Sequence, residues 1–357
     1  MSKLNVKSMK KSTLDHLITF AMVIVAYLIV QILIAAGVLS SLMQGLLVPM
    51  CTYSIVAIGL NLCVGYLGEL SIGHAGFMCV GAFSSAFATK LLQNVIPNQI
   101  ILFITVLIIG TAAAAFFGFL IGIPVLRLRG DYLAIVTLAF GEIIKNVINV
   151  LYIAKDTDGF HFAISNGNAI KLSDEGEWLI NGAKGIAKIP HLSSFTAGVI
   201  MILICLFIVY HLVNSRSGRA IMATRDNRIA AESVGIDVTK FKLLAFTISA
   251  ALAGVAGVLY AHNLSMLKVS GFDYNMSILI LVYVVLGGIG NLRGSMIATI
   301  ILYALPELLR GFANYRMLIY AIVLIVMMLF NWAPAARNWR ARTMEKIRGT
   351  KNKKEAA

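Results

Sequence analysis

The residues of this 357-residue chain that could do chemistry are the few polar and ionisable ones set between long apolar runs. Glu69, Ser71 and His74 stand in the stretch GYLGELSIGHAGF, which begins at Gly65 and also holds Gly68, Gly73 and Gly76. Glycine there permits a broken or tightly packed helix. Backbone groups freed by a break, with Glu69, Ser71 and His74 beside them, are suited to a water-filled path. The same residues also fit a turn with small-residue helix packing around it. His74 has no second His, Cys or carboxylate at ligand spacing, so a metal or proton-relay role is not indicated. Glu142 and Lys145 are three residues apart and share a helix face, so they can pair. An ionisable pair at membrane depth is either the wall of a polar path, with Glu142 able to meet a substrate ammonium group, or a buried pair that fixes packing. No phosphate-cradling GxxxxGK[ST] loop, no HExxH, no GxSxG and no clustered carboxylates occur in the chain. No cofactor is therefore expected on it, and a membrane-enzyme reading lacks a nucleophile and base. Cys51, Cys63, Cys79 and Cys205 lie in apolar runs without paired spacing, which indicates neither a disulfide framework nor a zinc site.

The elements that must carry these residues follow from composition. With 59% apolar and 13% charged residues and a mean hydropathy of +0.87, the chain falls far from the charged fraction of soluble domains, about 25%. It reads as an all-α polytopic membrane protein, a single transmembrane domain over 1–357. Crossing the hydrocarbon takes about 20 apolar residues, and segmentation at polar, Gly and Pro clusters gives ten helices. They cover 14–36, 43–65, 72–92, 101–126, 132–153, 194–213, 241–262, 274–290, 295–309 and 316–334. The first apolar run exceeds a signal-peptide core of about 7 to 15 residues, so it reads as an uncleaved helix.

The formal charge of +14 is tested first as topology bias, since Lys and Arg accumulate in cytoplasmic loops. With the N-terminus inside, the cytoplasmic segments hold Lys3, Lys7, Lys10, Lys11, Arg127, Arg129, Arg216, Arg219, Arg225, Arg228, Lys240, Lys242, Arg293 and the basic tail. Lys90, Lys155, Lys171, Lys184, Lys188, Lys268, Arg310 and Arg316 fall outside. The bias predicts both termini in the cytoplasm of a prokaryotic plasma membrane protein. The charge is then orientation rather than a nucleic-acid surface. The tail at 335–357 reads as a juxtamembrane anchor on lipid. The external loop at 154–193, with Asp156, Asp158, Asp174, Glu175, Glu177 and Trp178, is either plain solvated loop or the receiver of an extracytoplasmic partner. Arg127 to Asp131 reads as a cytoplasmic turn. Val64 to Leu70 and Leu286 to Leu292 share the pattern apolar-Gly-x-apolar-Gly-polar-Leu, an echo that makes Gly287 and Gly288 counterparts of the Gly65 and Gly68 region. Such internal repeats mark a translocation path in transporters.

The longest polar interruption is 214–242, a candidate docking loop. Asp226 or Asn227 can cap a helix start and Gly235 can end it, leaving Arg228, Ile229, Ala230, Ala231, Glu232, Ser233 and Val234 as two turns. A helix below about 12 residues is marginal alone, so neighbouring helices or a partner must hold it.

Four stretches carry a family resemblance: AIGLNLCVGYLGELSIGHAGFMCVGAF from Ala57, LRLRGDYLAIVTLAFGEIIKNVI from Leu126, SRSGRAIMATRDNRIAAESVGIDVTKFKLLAFTISAALAGVAGVLYA from Ser215, and VVLGGIGNLRGS from Val284. In this order they closely resemble LivM-type permeases of branched-chain amino acid ABC transporters, and the likeness spans nearly the whole chain. The resemblance implies the ABC importer permease fold and an ATP-driven importer of leucine, isoleucine and valine. It also implies a homologous LivH-type permease, two cytoplasmic ABC ATPases that bind ATP and Mg, and an extracytoplasmic binding protein as partners. In that family the loop matching Arg225 to Gly235 is the coupling helix that sits in a groove of the ATPase. Glu69 stands where many members have Gln, Lys184 where a small polar or acidic residue is common, and the segment from Thr157 to Ile180 is longer than usual. Relatives carrying urea, amides or aromatic acids share the same motifs. An ion-coupled secondary amino-acid transporter using Glu69, His74 and Glu142 is the competing reading from another class.

Overall fold

The computed structural model describes residues 2–128, 130–156, 159–165, 167, 170, 176–309 and 315–332. Arg129, Thr157, Asp158, Lys171, Asp174, Glu175, Arg310 and the 335–357 tail lie outside the described residues. Contacts divide the chain into residues 1–300 and a short second unit, 301–357.

Polar residues start most of the long helices. In the first unit α1 is Ser2–Ala35 and α2 is Ser41–Asn61, capped by Ser40; a π-helical turn, Leu62–Leu67, extends α2. Next come α3 (His74–Leu92), α4 (Gln99–Val125, capped by Asn98), α5 (Asp131–Asn149) and α6 (Phe195–Asn214, capped by Ser194). Two short helices follow, α7 (Arg216–Asp226) and α8 (Arg228–Ser233), then α9 (Val238–Ala261, capped by Asp237), α10 (Tyr274–Gly287, capped by Asp273) and α11 (Leu292–Leu308). The second unit contains α12, Arg316–Trp332. Each cap accepts a backbone N–H that the first turn leaves without an intrahelical partner. The ten expected apolar helices are all present, and among the described residues eight are long and apolar enough to cross a membrane. At 17 residues each, α11 and α12 are shorter.

The core of the first unit is α9, packed against α2, α3 and α4. Lipid tails are as apolar as leucine, so helices in a membrane associate through close packing and polar contacts. The sequence of α9 is built for this, burying Ala245, Ala250, Ala253, Gly254, Ala256, Gly257 and Ala261. On α4 the buried positions are Leu102, Val106, Gly110, Ala114, Gly118 and Gly122, every fourth residue and so one narrow stripe, with Val125 added in the last turn. Where α3 crosses α9 the backbones touch: a Cβ on Gly81 would lie 2.6 Å from Gly254 Cα. Phe77 fills the wider gap below, 5.6 Å from Phe246 and 5.2 Å from Phe140 between ring centroids.

One expectation is overturned between residues 150 and 187. The fifth helix stops at Asn149 rather than 153, and the chain becomes a sheet where a loop was expected. Strands β1 (Leu151–Asp156), β2 (Gly159–Ile164) and β3 (Glu177–Asn181) pair antiparallel in the order β2-β1-β3, with Leu151 opposite Ile164 and Ala154 opposite His161. The reason lies in the alternation of Phe160, Phe162 and Ile164 with small or polar residues, which is the period of a strand. Short strands β4 (Ile186–Ala187) and β5 (Met266–Leu267) pair separately. Lys90, buried at the end of α3, ties the larger sheet down through Glu177 Oε1 at 2.5 Å and the carbonyl of Trp178 at 3.3 Å.

Just past the end of α9, His262 is fully buried, with Nδ1 2.8 Å from the Val258 carbonyl and Nε2 2.7 Å from the Thr89 hydroxyl. In the neutral ring Nδ1–H donates and Nε2 accepts. Burial lowers its pKa below the ordinary histidine value, partly offset by the Val258 bond. The folded state thus resists a proton that the unfolded chain accepts. This contribution is complete above a pH of about 6.5 and is lost as pH falls below it. Thermal unfolding in detergent should therefore show a loss of stability between pH 7 and 5 that shrinks in His262→Gln. At the helix crossing, Gly254→Leu should destabilise by about 1–3 kcal/mol through overpacking. Gly45→Leu, at a position with nothing within 4 Å, should leave the melting temperature unchanged.

Candidate functional site

The glycine-rich stretch and its echo each follow the end of a helix, the first at Gly68 after a π-helical turn and the second at Gly288, which caps α10 at a φ of +102°. After the π-helical turn, Gly68 adopts a φ of +80° and its N–H returns to the Cys63 carbonyl. Past the end of α10, Gly290 adopts a φ of +79°. Both are left-handed positions that glycine occupies without the Cβ penalty. The other glycine of each pair serves close approach. A Cβ on Gly65 would stand 2.7 Å from Gly290 Cα, and one on Gly287 2.5 Å from the carbonyl carbon of Gly294. The two echo segments therefore meet each other backbone to backbone in a seam, Gly65 against Gly290. Asn61 holds it: Oδ1 accepts the Gly290 N–H at 2.8 Å and Nδ2 donates to Ser295 Oγ at 2.6 Å.

The remaining polar residues of the stretch are engaged one by one. Glu69 pairs with Lys242, near the start of α9, and both side chains are nearly buried. His74 Nε2 lies 2.7 Å from Ser249 Oγ, whose own proton goes to the Gly59 carbonyl at 2.5 Å, so the network assigns the ring proton to Nε2. Nδ1 then accepts from Ser71 at 3.3 Å. Gly73 packs on Thr137, where a Cβ would come within 2.9 Å of the carbonyl carbon. Glu142 stands apart from this group. One of its oxygens takes Lys145 Nζ at 3.0 Å, and the other accepts the Tyr274 N–H at 3.1 Å, which docks α5 on the start of α10. It lines a narrow crevice with Gly76, Phe272 and Ser277.

The polar segment is richer than one short helix. Ser215 caps α7 at the Gly218 N–H, 3.1 Å, and Asn227 caps α8 at the Ala230 N–H, 3.1 Å. Of the two cap candidates Asn227 does the capping, and Asp226 instead holds Arg225, 3.0 Å from Nη2. Gly235 ends α8 at a φ of +82°, and Arg228 pairs with Glu232 one turn on at 2.8 Å. Ala231 is buried, whereas Ile229 and Val234 are 79% and 75% exposed and Ala230 is also exposed. Arg225 turns the other way: its Nη1 donates to the Gly65 carbonyl at 2.7 Å. The sequence reading passed over Asn61, Lys242, Ser249 and Ser295 as members of this site, although each is a polar residue within or beside an apolar run. It also passed over α7.

Removing one member of the Glu69–Lys242 pair leaves a nearly buried charge uncompensated, which costs about 3–5 kcal/mol in buried pairs. Lys242→Met should lower the melting temperature of the purified protein sharply, and adding Glu69→Leu should recover most of the loss.

The family model for "Branched-chain amino acid transport system / permease component" matches residues 42–330. The high-affinity branched-chain amino acid transport system permease protein LivM of Salmonella typhimurium is 34% identical over 321 residues, 85% of this chain and 72% of that protein. LivM of Escherichia coli is 36% identical over 298 residues, covering 79% of this chain and 66% of its own length. The match extends to LivH of Salmonella typhimurium, 23% identical over 286 residues, 78% of this chain and 89% of that protein. No solved structure matches the chain. The residues matched by the family model include the glycine seam, the capped α8 and seven of the eight membrane-length helices found among the described residues, and the chain is a multi-pass membrane protein that belongs to the branched-chain amino acid transport permease family.

Proposed function

We propose that this chain is one of two permease subunits of an ATP-driven importer of leucine, isoleucine and valine. The relatives' names supply the solute class, and their division into LivM and LivH, both similar to this chain, supports pairing with a homologous second permease. The single feature that carries the coupling assignment is α8, a capped two-turn helix with Ile229 and Val234 exposed. Its apolar face suits the groove of an ATPase. Because the sequence holds no phosphate-binding loop, ATP and Mg belong to two partner ATPases, and this chain is a transport subunit rather than an enzyme. The end of the bundle bearing α8 is then cytoplasmic, as are both termini. The β1–β3 sheet, tied to the far end of α3 a helix length of about 28 Å away, faces the extracytoplasmic binding protein that delivers the solute. Solute is released past Gly65, Gly68, Glu69, Gly287 and Gly288. His74, Ser71 and Gly73 hold α3 in place beside that route, and Glu142 supports α10.

Reconstitution tests this. Proteoliposomes holding the complete complex should accumulate leucine only when ATP is on the α8 side and the binding protein on the other. Accumulation of leucine by this chain alone under a proton or sodium gradient would establish the secondary-transporter reading instead, and import of urea, amides or aromatic acids but not leucine would replace the solute. Within the complex, Ala230→Trp and Gly235→Pro should each reduce import at least tenfold. The first spoils the docking face. The second forces a φ near −65° where the chain needs +82°.

A further inference from the structure

Two cations flank α8, and both grip the same five residues. Arg225, before α8, donates to the Gly65 carbonyl, and Lys242, after it, pairs with Glu69. We propose that the Gly65–Gly290 seam is the gate of the solute path at the α8 end of the bundle, and that Arg225 is the positioning residue through which movement of α8 opens it. The inference rests on the transport reading above.

The geometry of Arg225 suits a lever. Its Nε and Nη2 are held by Asp226 Oδ1 at 3.1 and 3.0 Å, so the guanidinium is oriented by the residue that leads directly into α8. Its aliphatic stem lies across Gly68, where a Cβ would stand 3.1 Å from Arg225 Cδ. Its target, the Gly65 carbonyl, sits in a π-helical turn, where the regular backbone ladder is already interrupted and a carbonyl is free to take an outside donor. Displacement of α8 therefore pulls on the backbone of Gly65 itself. On its other side Gly65 meets the backbone of Gly290, with Asn61 Oδ1 beside them as the acceptor of the Gly290 N–H. Parting the two breaks backbone contacts and the bonds from Asn61 to Gly290 and Ser295, and leaves no large cavity to fill. The frame around the seam stays in place, because α3 and α9 are joined at His74–Ser249 and Thr89–His262 and packed backbone to backbone at Gly81 and Gly254. A small motion at α8 is thus delivered to the Gly65–Gly290 seam, while Lys242 holds Glu69 to α9.

The test uses the complete complex in proteoliposomes. Arg225→Met keeps the stem over Gly68 and removes the donor, whereas Arg225→Lys restores one. Solute imported per ATP hydrolysed should fall about tenfold in Arg225→Met, within the usual range of coupling energies, and recover in part in Arg225→Lys. A second readout follows the gate itself. Ile289→Cys places a thiol at a half-exposed position next to Gly290, and the four native cysteines are buried. Its labelling by a maleimide should change at least about fivefold between nucleotide-free and ATP-trapped complex, and Arg225→Met should erase that change. An unchanged import-to-hydrolysis ratio would overturn the proposal. So would labelling of Ile289→Cys that ignores nucleotide. Failure of Arg225→Met to co-purify with the ATPases would make Arg225 a docking contact and overturn it as well. If the complex with the native residue at 225 imports nothing, the transport reading itself fails, which separates the two.

Discussion

Inside a membrane, burying an apolar side chain against another helix gains little over leaving it in lipid, and the bundle depends on how closely backbones approach. That constraint explains why α9, at the centre, is lined with alanine and glycine, and why α4 presents a four-residue stripe of small residues to it. Close approach alone fixes distance but not register. Register comes from a few polar pairs spaced along the helices: Glu69 with Lys242, His74 with Ser249, and Thr89 with His262. Each is satisfied within the bundle, as low-dielectric surroundings require.

The same constraint makes the seam unusual. A helix that ends at membrane depth exposes backbone groups that lipid cannot satisfy. Here several freed groups find partners: the Cys63 carbonyl takes the Gly68 and Glu69 N–H groups, the Gly65 carbonyl takes Arg225, and the Gly290 N–H goes to Asn61. The break is therefore held by hydrogen bonds, with the Asn61 amide as the side chain that joins its two halves. Its partners also come from two different places, the membrane core and the polar segment around α8. The Arg225 side chain, at the end of α7 and just before α8, thus ties the polar segment to the interior of the bundle.

Much of this was legible in the chain. Long apolar runs specify the spans, because lipid leaves a backbone few alternatives to the helix. Asn227 and Gly235 bracket α8 because only certain residues cap a helix or enter the left-handed region. The echo of Val64 to Leu70 in Leu286 to Leu292 is matched in conformation at one position, where Gly68 and Gly290 share nearly the same φ, while Gly288 ends α10 earlier than its counterpart Tyr66, which is still helical. The strands at 151–181 were not read, because a three-stranded sheet depends on pairing between residues far apart and its alternation is only a few residues long. Glu142 was legible as a paired carboxylate, but not as the acceptor for the Tyr274 N–H, which comes from a helix more than a hundred residues away.

By itself the sequence determined the class of protein, the number and place of its apolar helices, and the capped helix α8, since each follows from local chemistry: hydropathy, caps and backbone freedom at glycine. Only the tertiary structure decided which polar residues meet. Glu69 could have faced a path or a partner, and the fold gives it Lys242; His74 could have been free, and the fold buries it between two serines. Gly65 and Gly290 lie 225 positions apart and acquire a shared role only because two helices end at the same point in space. Contacts of that kind depend on the relative placement of whole helices, which no local pattern of residues encodes.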